Sequence, residues 1–306
     1  VEENMNSVNI KFDSAAQKFN CDINGQKFKT TKKDYIEYMY KKITGEKKTF
    51  EMITNAQTPK AADKFCINTR FGFVEKLVNM VASGVQPSAV ITGQGGLGKT
   101  YTVTKTLEQN GYKDLSDMAA FEVGAKINRS KAYTTVKGYS TAKGLYRTLF
   151  ENNGGVIIFD DCDAILKDPV ALNVLKSALD SYGKRIISWN ADFRDEDLPR
   201  SFNFTGSVIF ISNMDQDRID QAIRSRSMMI DLTMDNTQKI ERMEFIATSE
   251  EFMPEFSVEQ KQDAIALIKD LKDTAKEISL RTLISVTKIR ATNKDWKDLA
   301  EYVLCN

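Results

Sequence analysis

The chain has 306 residues, of which 42% are hydrophobic and 28% charged, and its formal net charge is +1. That length allows two or three folding units with substantial cores, and the balanced charge excludes polyanion binding by the surface as a whole, so any such binding needs a local patch. No apolar run approaches the ~20 residues of a membrane span, no secretory signal pattern stands at the N-terminus, and Cys21, Cys66, Cys162 and Cys305 are spaced for neither a zinc site nor a dense disulfide framework, which makes reduced thiols in a cytoplasm the simplest expectation.

Residues 1–60 read as a small α+β unit. Lys18–Thr30 predicts a hairpin around Asn24-Gly25, a strong two-residue turn signal. Asp34–Ile43 predicts a helix stopped by Gly45. Eight lysines against three acids lie between Lys27 and Lys48, interleaved with Phe28, Tyr35, Tyr38 and Tyr40. Two readings follow: a basic-aromatic surface for nucleic acid or an acidic partner, or a solvated lysine face over an aromatic mini-core. The second is the simpler expectation. A linker containing Thr58-Pro59 follows, then an amphipathic helix over Phe71–Ser83.

Between Ala89 and Leu232, apolar strands alternate with helices. The strands are Ala89–Thr92, Tyr133–Val136, Val156–Phe159, Val208–Ser212 and Met228–Leu232. Such alternation predicts an α/β fold with a parallel sheet covered on both faces. The helix Pro169–Ser181 opens with Asp168 as cap and proline at its first position. Arg185–Asn190 and Phe202–Thr205 are expected to pair as a hairpin with the tip Ala191–Arg200. From Asn236 onward only helical patterns occur, including Val258–Asp273 and Leu280–Ile289.

Val90–Thr100, VITGQGGLGKT, has the G-x-x-x-x-G-K-[ST] spacing of a nucleotide-triphosphate loop. Gly93, Gly95, Gly96 and Gly98 let backbone N–H groups turn inward, with Leu97 carried among them. The following helix, beginning Lys99-Thr100-Tyr101, adds its positive dipole end. Lys99 can reach the β- and γ-phosphates of ATP, and the Thr100 hydroxyl can hold Mg2+. Val156–Asp161 is a buried-strand pattern ending in two acids, and ligands sit at the carboxyl ends of strands in open α/β sheets. Asp160 is therefore the expected Mg2+ ligand, and Asp161 the group that orients or deprotonates water. Histidine is absent. That excludes Ser-His and Cys-His pairs and leaves acid–base work at neutral pH to carboxylates or bound water.

These motifs, together with Ile209–Asn213, Ile223–Arg226 and Arg281, occur in the order of Walker A, Walker B, sensor 1, arginine finger and sensor 2. Over roughly residues 67–306 the chain resembles an AAA+ ATPase, and it is similar to small AAA+ proteins of tailed phages and bacteria. The resemblance implies a small N-terminal domain (1–60) that chooses the partner, a P-loop core (67–234) and a C-terminal all-α lid (235–306). It implies that Asn213 is the sensor 1 residue and Arg281 the sensor 2 residue. Arg226, with Arg224 as the alternate, would be a finger acting on a neighbouring subunit, hence a homo-oligomer, most simply a hexamer. It further implies that Tyr139, in the loop Lys137–Thr141, grips a protein or nucleoprotein substrate. DNA is the alternative substrate, through the basic N-terminal stretch. The hairpin tip, with Asp192, Asp195, Glu196 and Asp197 against Arg194 and Arg200, is poorly suited to tracking phosphates.

Two departures qualify the resemblance. The second Walker B acid is Asp161 where glutamate is usual, which shortens the reach to water by roughly one C–C bond, ~1.5 Å. An ATP switch with little turnover is therefore the rival function. The double aspartate also resembles NB-ARC signalling ATPases, but the next strand ends Ile211-Ser212-Asn213 rather than in their Thr-Thr-Arg motif.

Overall fold

The computed structural model describes residues 8–13, 18–30, 33–45, 64–116, 129–181, 183–190 and 198–306. The linker around Thr58-Pro59 and residues 191–197 of the hairpin tip lie outside the described residues. The chain divides into two compact units, residues 1–64 and 65–306.

The first unit is a three-stranded antiparallel sheet, β1 (Val8–Asp13), β2 (Lys18–Ile23) and β3 (Gln26–Thr30), with the helix α1 (Lys33–Thr44). The β2–β3 turn is the expected Asn24-Gly25, with φ of 49° and 83°. Both values are positive, as a tight hairpin turn of this class requires. β1 pairs with β2 in the register Ile10 to Cys21. It extends the expected hairpin by a strand whose Val8, Ile10 and Phe12 alternate with polar residues. Ile36, Phe19 and Cys21 form the small core. The aromatic residues divide: Tyr40 is buried, but Tyr35 and Tyr38 face solvent, so the aromatic mini-core holds only part of that set.

The second unit is built on six strands, all parallel, in the order β11 (Met228–Asp231), β4 (Ser88–Thr92), β10 (Ser207–Ser212), β7 (Val156–Asp160), β6 (Ala132–Lys137) and β5 (Lys113–Asp114). Alternate residues of the central strands feed two cores. Val90, Ile157, Phe159, Val208 and Phe210 point to one face, with Phe159 stacked on Phe210 at 5.5 Å. Ala89, Ile91, Ile158, Ile209 and Ile211 point to the other. The first face is covered by α4 (Ala142–Glu151) and α5 (Pro169–Ala178). The second is covered by α2 (Ile67–Ala82) and α3 (Lys99–Gln109). Central strands buried on both faces read as unbroken apolar runs, and that is how β4, β7 and β10 stood out in the sequence.

α2 begins four residues before the expected Phe71, because Ile67 is also buried in the core. α5 ends three residues before the expected Ser181. Asp168 caps it as anticipated, accepting from the Val170 and Ala171 N–H groups. The hairpin between α5 and β10 reduces to three paired residues per strand, β8 (Ile186–Ser188) and β9 (Ser201–Asn203). After the short α6 (Gln221–Arg224) and β11 come α7 (Asn236–Ala247), α8 (Val258–Asp270), α9 (Leu280–Thr292) and α10 (Trp296–Cys305). Capping boxes open α7 (Asp235 with Gln238) and α8 (Ser257 with Gln260). These helices share a separate apolar core around Met243, Ile268, Leu283 and Val286.

Candidate functional site

The strand order places β10 between β4 and β7, so the chain ends leaving these three strands meet at one edge of the sheet. Open α/β sheets bind ligands at such an edge. A cavity of about 530 Å3 lies there, lined by Gly95, Gly96, Gly98, Lys99, Thr100, Tyr101, Lys137, Gly138, Asp160, Asp161, Ile211, Asn213 and Arg281.

Each group is positioned by its element. The loop after β4 uses positive φ at Gly93 (133°), Gly96 (71°) and Gly98 (91°), conformations that a Cβ resists. At Gly93 a Cβ would also stand 2.7 Å from the Leu232 carbonyl carbon. Gly93 therefore packs the loop against the chain leaving β11 and does not line the cavity. Leu97 does not line it either; its side chain is buried in the core beside α2 and α3. Lys99 is buried and its Nζ donates to Gly93 O (2.6 Å), Gln94 O (2.7 Å) and Asn213 Oδ1 (3.0 Å). Burial pushes the Lys99 ammonium below its ordinary pKa, opposed by the charges of Asp161, Asp160 and Asp163. Three acceptors around one ammonium offset that desolvation.

Thr100 Oγ1 donates to Asp160 Oδ2 at 3.0 Å, and Lys137 Nζ lies 3.8 Å from the same oxygen. Asp161 follows the last residue of β7. Its N–H donates to Ile211 O (3.0 Å), and its φ is 55°, a left-handed conformation uncommon outside glycine, asparagine and aspartate. That turn carries the Asp161 carboxylate toward Asn213, whose Nδ2 donates to Asp161 Oδ1 at 2.7 Å. Burial raises the Asp161 pKa, and Asp160 raises it further, against the lowering effect of Lys99 and Arg281. Asp163 turns away from the cavity and accepts from Ser212 Oγ at 2.6 Å. It thereby holds the end of β10 from which Asn213 projects.

Arg281 reaches the cavity from α9. Leu280 N–H donates to Gly96 O at 2.8 Å, so the start of that helix is bonded to the phosphate loop itself. A second cavity of about 470 Å3 shares Gly98 and Tyr101 with the first and is mostly apolar, with Phe245, Ile246, Leu280 and Ile284 in its wall. Arg242 closes one side. Its guanidinium stacks 3.7 Å above the Phe71 ring, Nη1 donates to Asn68 Oδ1 (2.9 Å), and burial pushes its pKa down to about 10. Tyr101 OH donates to Glu251 Oε2 at 2.7 Å, tying α3 to the loop after α7.

The remaining candidates stand elsewhere. Tyr139 is 83% exposed and lies beyond Gly138, just outside the first cavity. Arg224 is exposed at the end of α6. Arg226 Nη1 donates to Ala222 O at 3.1 Å, and its own carbonyl accepts from Ser88 Oγ at 3.1 Å. Ser88 begins β4, whereas the phosphate loop leaves the other end of that strand. Five residues of strand, about 16 Å, separate Arg226 from the loop of its own chain.

Lys137, Gly138 and the second cavity's lining apart from Gly98 and Tyr101 were not among the sequence-derived candidates. Lys137 had an available signal: it directly follows the expected strand Tyr133–Val136, and in the sheet it pairs in register with Asp160.

The chemistry of the first cavity fits Mg2+ with a nucleoside triphosphate. A carboxylate and a hydroxyl share one spot, and Mg2+ takes one or two protein oxygens and completes its shell with phosphate oxygens and water. Among the described residues no cluster of three or more Asp, Glu, Cys or His groups forms a protein-only metal cage. No helix among them is long and apolar enough to cross a membrane.

Residues 89–253 match the family described as ATPase family associated with various cellular activities (AAA). Arg281 lies beyond that matched stretch. The chain is also 29% identical over 253 residues to an uncharacterized 36.7 kDa protein of the nrdC–mobD intergenic region of Enterobacteria phage T4, covering 76% of this chain and 73% of that protein.

Proposed function

The chain belongs to the AAA family of ATPases, and on that premise we propose that it hydrolyses ATP with Mg2+ as an oligomeric ring, most simply a hexamer, that remodels a protein or nucleoprotein. The observation that carries this reading is the convergence of Lys99, Thr100, Asp160, Asp161, Asn213 and Arg281 on one cavity, from four separate stretches of chain. Thr100 and Asp160 are the residues that would hold Mg2+, which supplies charge neutralisation at the phosphoryl oxygens. Lys99 exchanges its three backbone and side-chain acceptors for phosphate oxygens, and the N–H groups of Gly95–Thr100 cradle the same group. Asp161, ionised and held by Asn213, orients the attacking water and takes its proton. The second cavity takes the nucleobase, with Ile246 and Leu280 as its apolar walls.

Arg226 completes the site of a neighbouring subunit, because its own phosphate loop is at the far end of β4. Tyr139 grips the substrate from a loop whose base, Lys137-Gly138, lines the nucleotide cavity. Changes at Asp160 are thus transmitted to the substrate loop through Lys137. A second reading, an ATP-dependent assembly switch with little turnover, is favoured by the short side chain of Asp161.

Steady-state ATPase assays on the parent, Lys99→Ala and Tyr139→Ala proteins test these readings. Turnover that is lost in Lys99→Ala and stimulated by unfolded polypeptide only when Tyr139 is present supports the remodeller. Tight ATP binding with less than about one turnover per hour supports the switch, since kcat for working enzymes is typically 1 s⁻¹ or more. Nucleotide affinity unchanged in Lys99→Ala overturns both.

A further inference from the structure

The N-terminal unit carries aromatic and charged surface that the nucleotide site does not use. α1 turns Ile36 and Tyr40 inward and leaves Tyr35 and Tyr38 at 44% and 58% exposure. Lys41 and Lys42 follow in the last turn and are exposed. Residues three and four apart share one helix face, so Tyr35, Tyr38 and the lysine pair form a row. The two tyrosine rings lie 6.1 Å apart with their planes inclined by only 31°. Phe28 of β3 meets Tyr35 edge-on at 6.0 Å and 84°, bracing it from the sheet side. The one acid among the described side chains of α1, Glu37, is half-buried.

Two lysines at a helix C-terminus are accounted for by the helix dipole; eight lysines against three acids between Lys27 and Lys48 are not. With the whole chain at +1, this stretch of sequence is net basic and the rest of the sequence is net acidic; of its lysines, Lys32, Lys47 and Lys48 lie outside the described residues. Nor does burial in the core account for two adjacent tyrosine rings turned to solvent, tilted by 31° to one another. An exposed aromatic pair that runs into the cationic side chains of Lys41 and Lys42 matches a ligand with flat faces and a repeating negative charge.

We propose that this face of the N-terminal unit binds single-stranded nucleic acid, with bases stacked on Tyr35 and Tyr38 and phosphates held by Lys41 and Lys42. In a duplex the base faces are already stacked on one another, which leaves the rings nothing to cover; unpaired bases offer them directly. An acidic peptide would satisfy the lysines but would leave the tyrosine platform without a counterpart. The inference stands apart from the ATPase reading, because it concerns binding without nucleotide.

The test is fluorescence anisotropy of a labelled 20-nucleotide oligothymidine with the full-length chain, without ATP, between 50 and 200 mM salt. Two phosphate contacts on a single strand, at ~0.7 counterion each, weaken binding about sevenfold over that range. Tyr35→Ala/Tyr38→Ala is expected to lose roughly tenfold or more per ring while keeping the salt slope, because no charge is removed. Lys41→Gln/Lys42→Gln is expected to flatten the slope. Tyr35→Phe/Tyr38→Phe keeps the stacking faces and retains affinity, separating stacking from loss of fold. Lys99→Ala binds like the parent whether or not the ATPase reading holds. Equal or tighter binding of a duplex of the same length, preference for a poly-glutamate peptide, or unchanged affinity in Tyr35→Ala/Tyr38→Ala overturns the proposal, as does absence of binding at 50 mM salt.

Discussion

Replacing Arg226 by alanine separates an action between subunits from an action within one. Inside its own chain Arg226 makes one described side-chain hydrogen bond, Nη1 to Ala222 O at 3.1 Å. Removing a bond of that kind costs about 1 kcal/mol of stability. An arginine finger contributes ~10³–10⁵ in kcat, equivalent to roughly 4–7 kcal/mol of transition-state stabilisation. Arg226→Ala is therefore expected to fold and bind ATP like the parent but to turn over at least about 10³-fold more slowly. Because β4 stands between Arg226 and its own phosphate loop, the missing guanidinium can be supplied from outside. In rings co-expressed at equal amounts from Arg226→Ala and Lys99→Ala chains, a site works when an intact loop meets an intact finger. Random order makes that true at about one quarter of sites, so about one quarter of parental turnover returns. The assay is phosphate release per subunit, with sedimentation to establish that mixed oligomers form. Mixed rings no more active than the average of the two parents would refute the reasoning, as would an Arg226→Ala chain that keeps a third of its kcat.

Asp161→Asn removes the proposed general base but suits the backbone, since asparagine tolerates the left-handed φ of 55°. Turnover is expected to fall ~10²–10⁴-fold with ATP affinity kept; a fully active variant would remove Asp161 from the base role. The pH profile carries the same assignment. Burial and Asp160 raise the Asp161 pKa, and the base works only when ionised, so kcat should fall on acidification at a higher pH than the ~3.9 of an ordinary aspartate. For stability the sign is opposite: a raised carboxylate pKa favours the folded state below the unfolded value, and that contribution is lost as pH rises through the folded value. At neutral pH the Asp161→Asn protein should thus melt no lower than the parent, as differential scanning calorimetry can measure. Gly93→Ala combines a φ of 133° with a contact of 2.7 Å to backbone at Leu232. Strain and overpacking together should cost roughly 2–4 kcal/mol and lower Tm by roughly 5–15 °C. A melt within 1 °C of the parent would show that the loop relaxes freely.

What the sequence by itself determined is local. The phosphate loop is one contiguous stretch whose glycines, lysine and threonine each answer a backbone or charge requirement. β4, β7 and β10 were legible as apolar runs because both faces of the sheet are covered, and α5 was legible from Asp168 and Pro169. The two-residue β5 and the four-residue α6 left no periodic signal, being too short for one. α2 gained a turn because Ile67 is held by packing, which no cap announces. The tertiary structure decided what depends on pairing between distant segments. Parallel register brings Lys137 beside Asp160, and the insertion of β10 next to β4 brings Asn213 within 3.0 Å of Lys99. Arg242 rests on Phe71, far away along the chain, only because α7 docks on α2. Tyr35, Tyr38 and Tyr40 look alike as sequence, and which of them faces water was set by what α1 packs against. Periodicity and turn chemistry act over a few residues. The shared cavity, the buried cation and the side of the sheet from which an arginine can act come from long-range contacts that a linear pattern does not encode one residue at a time.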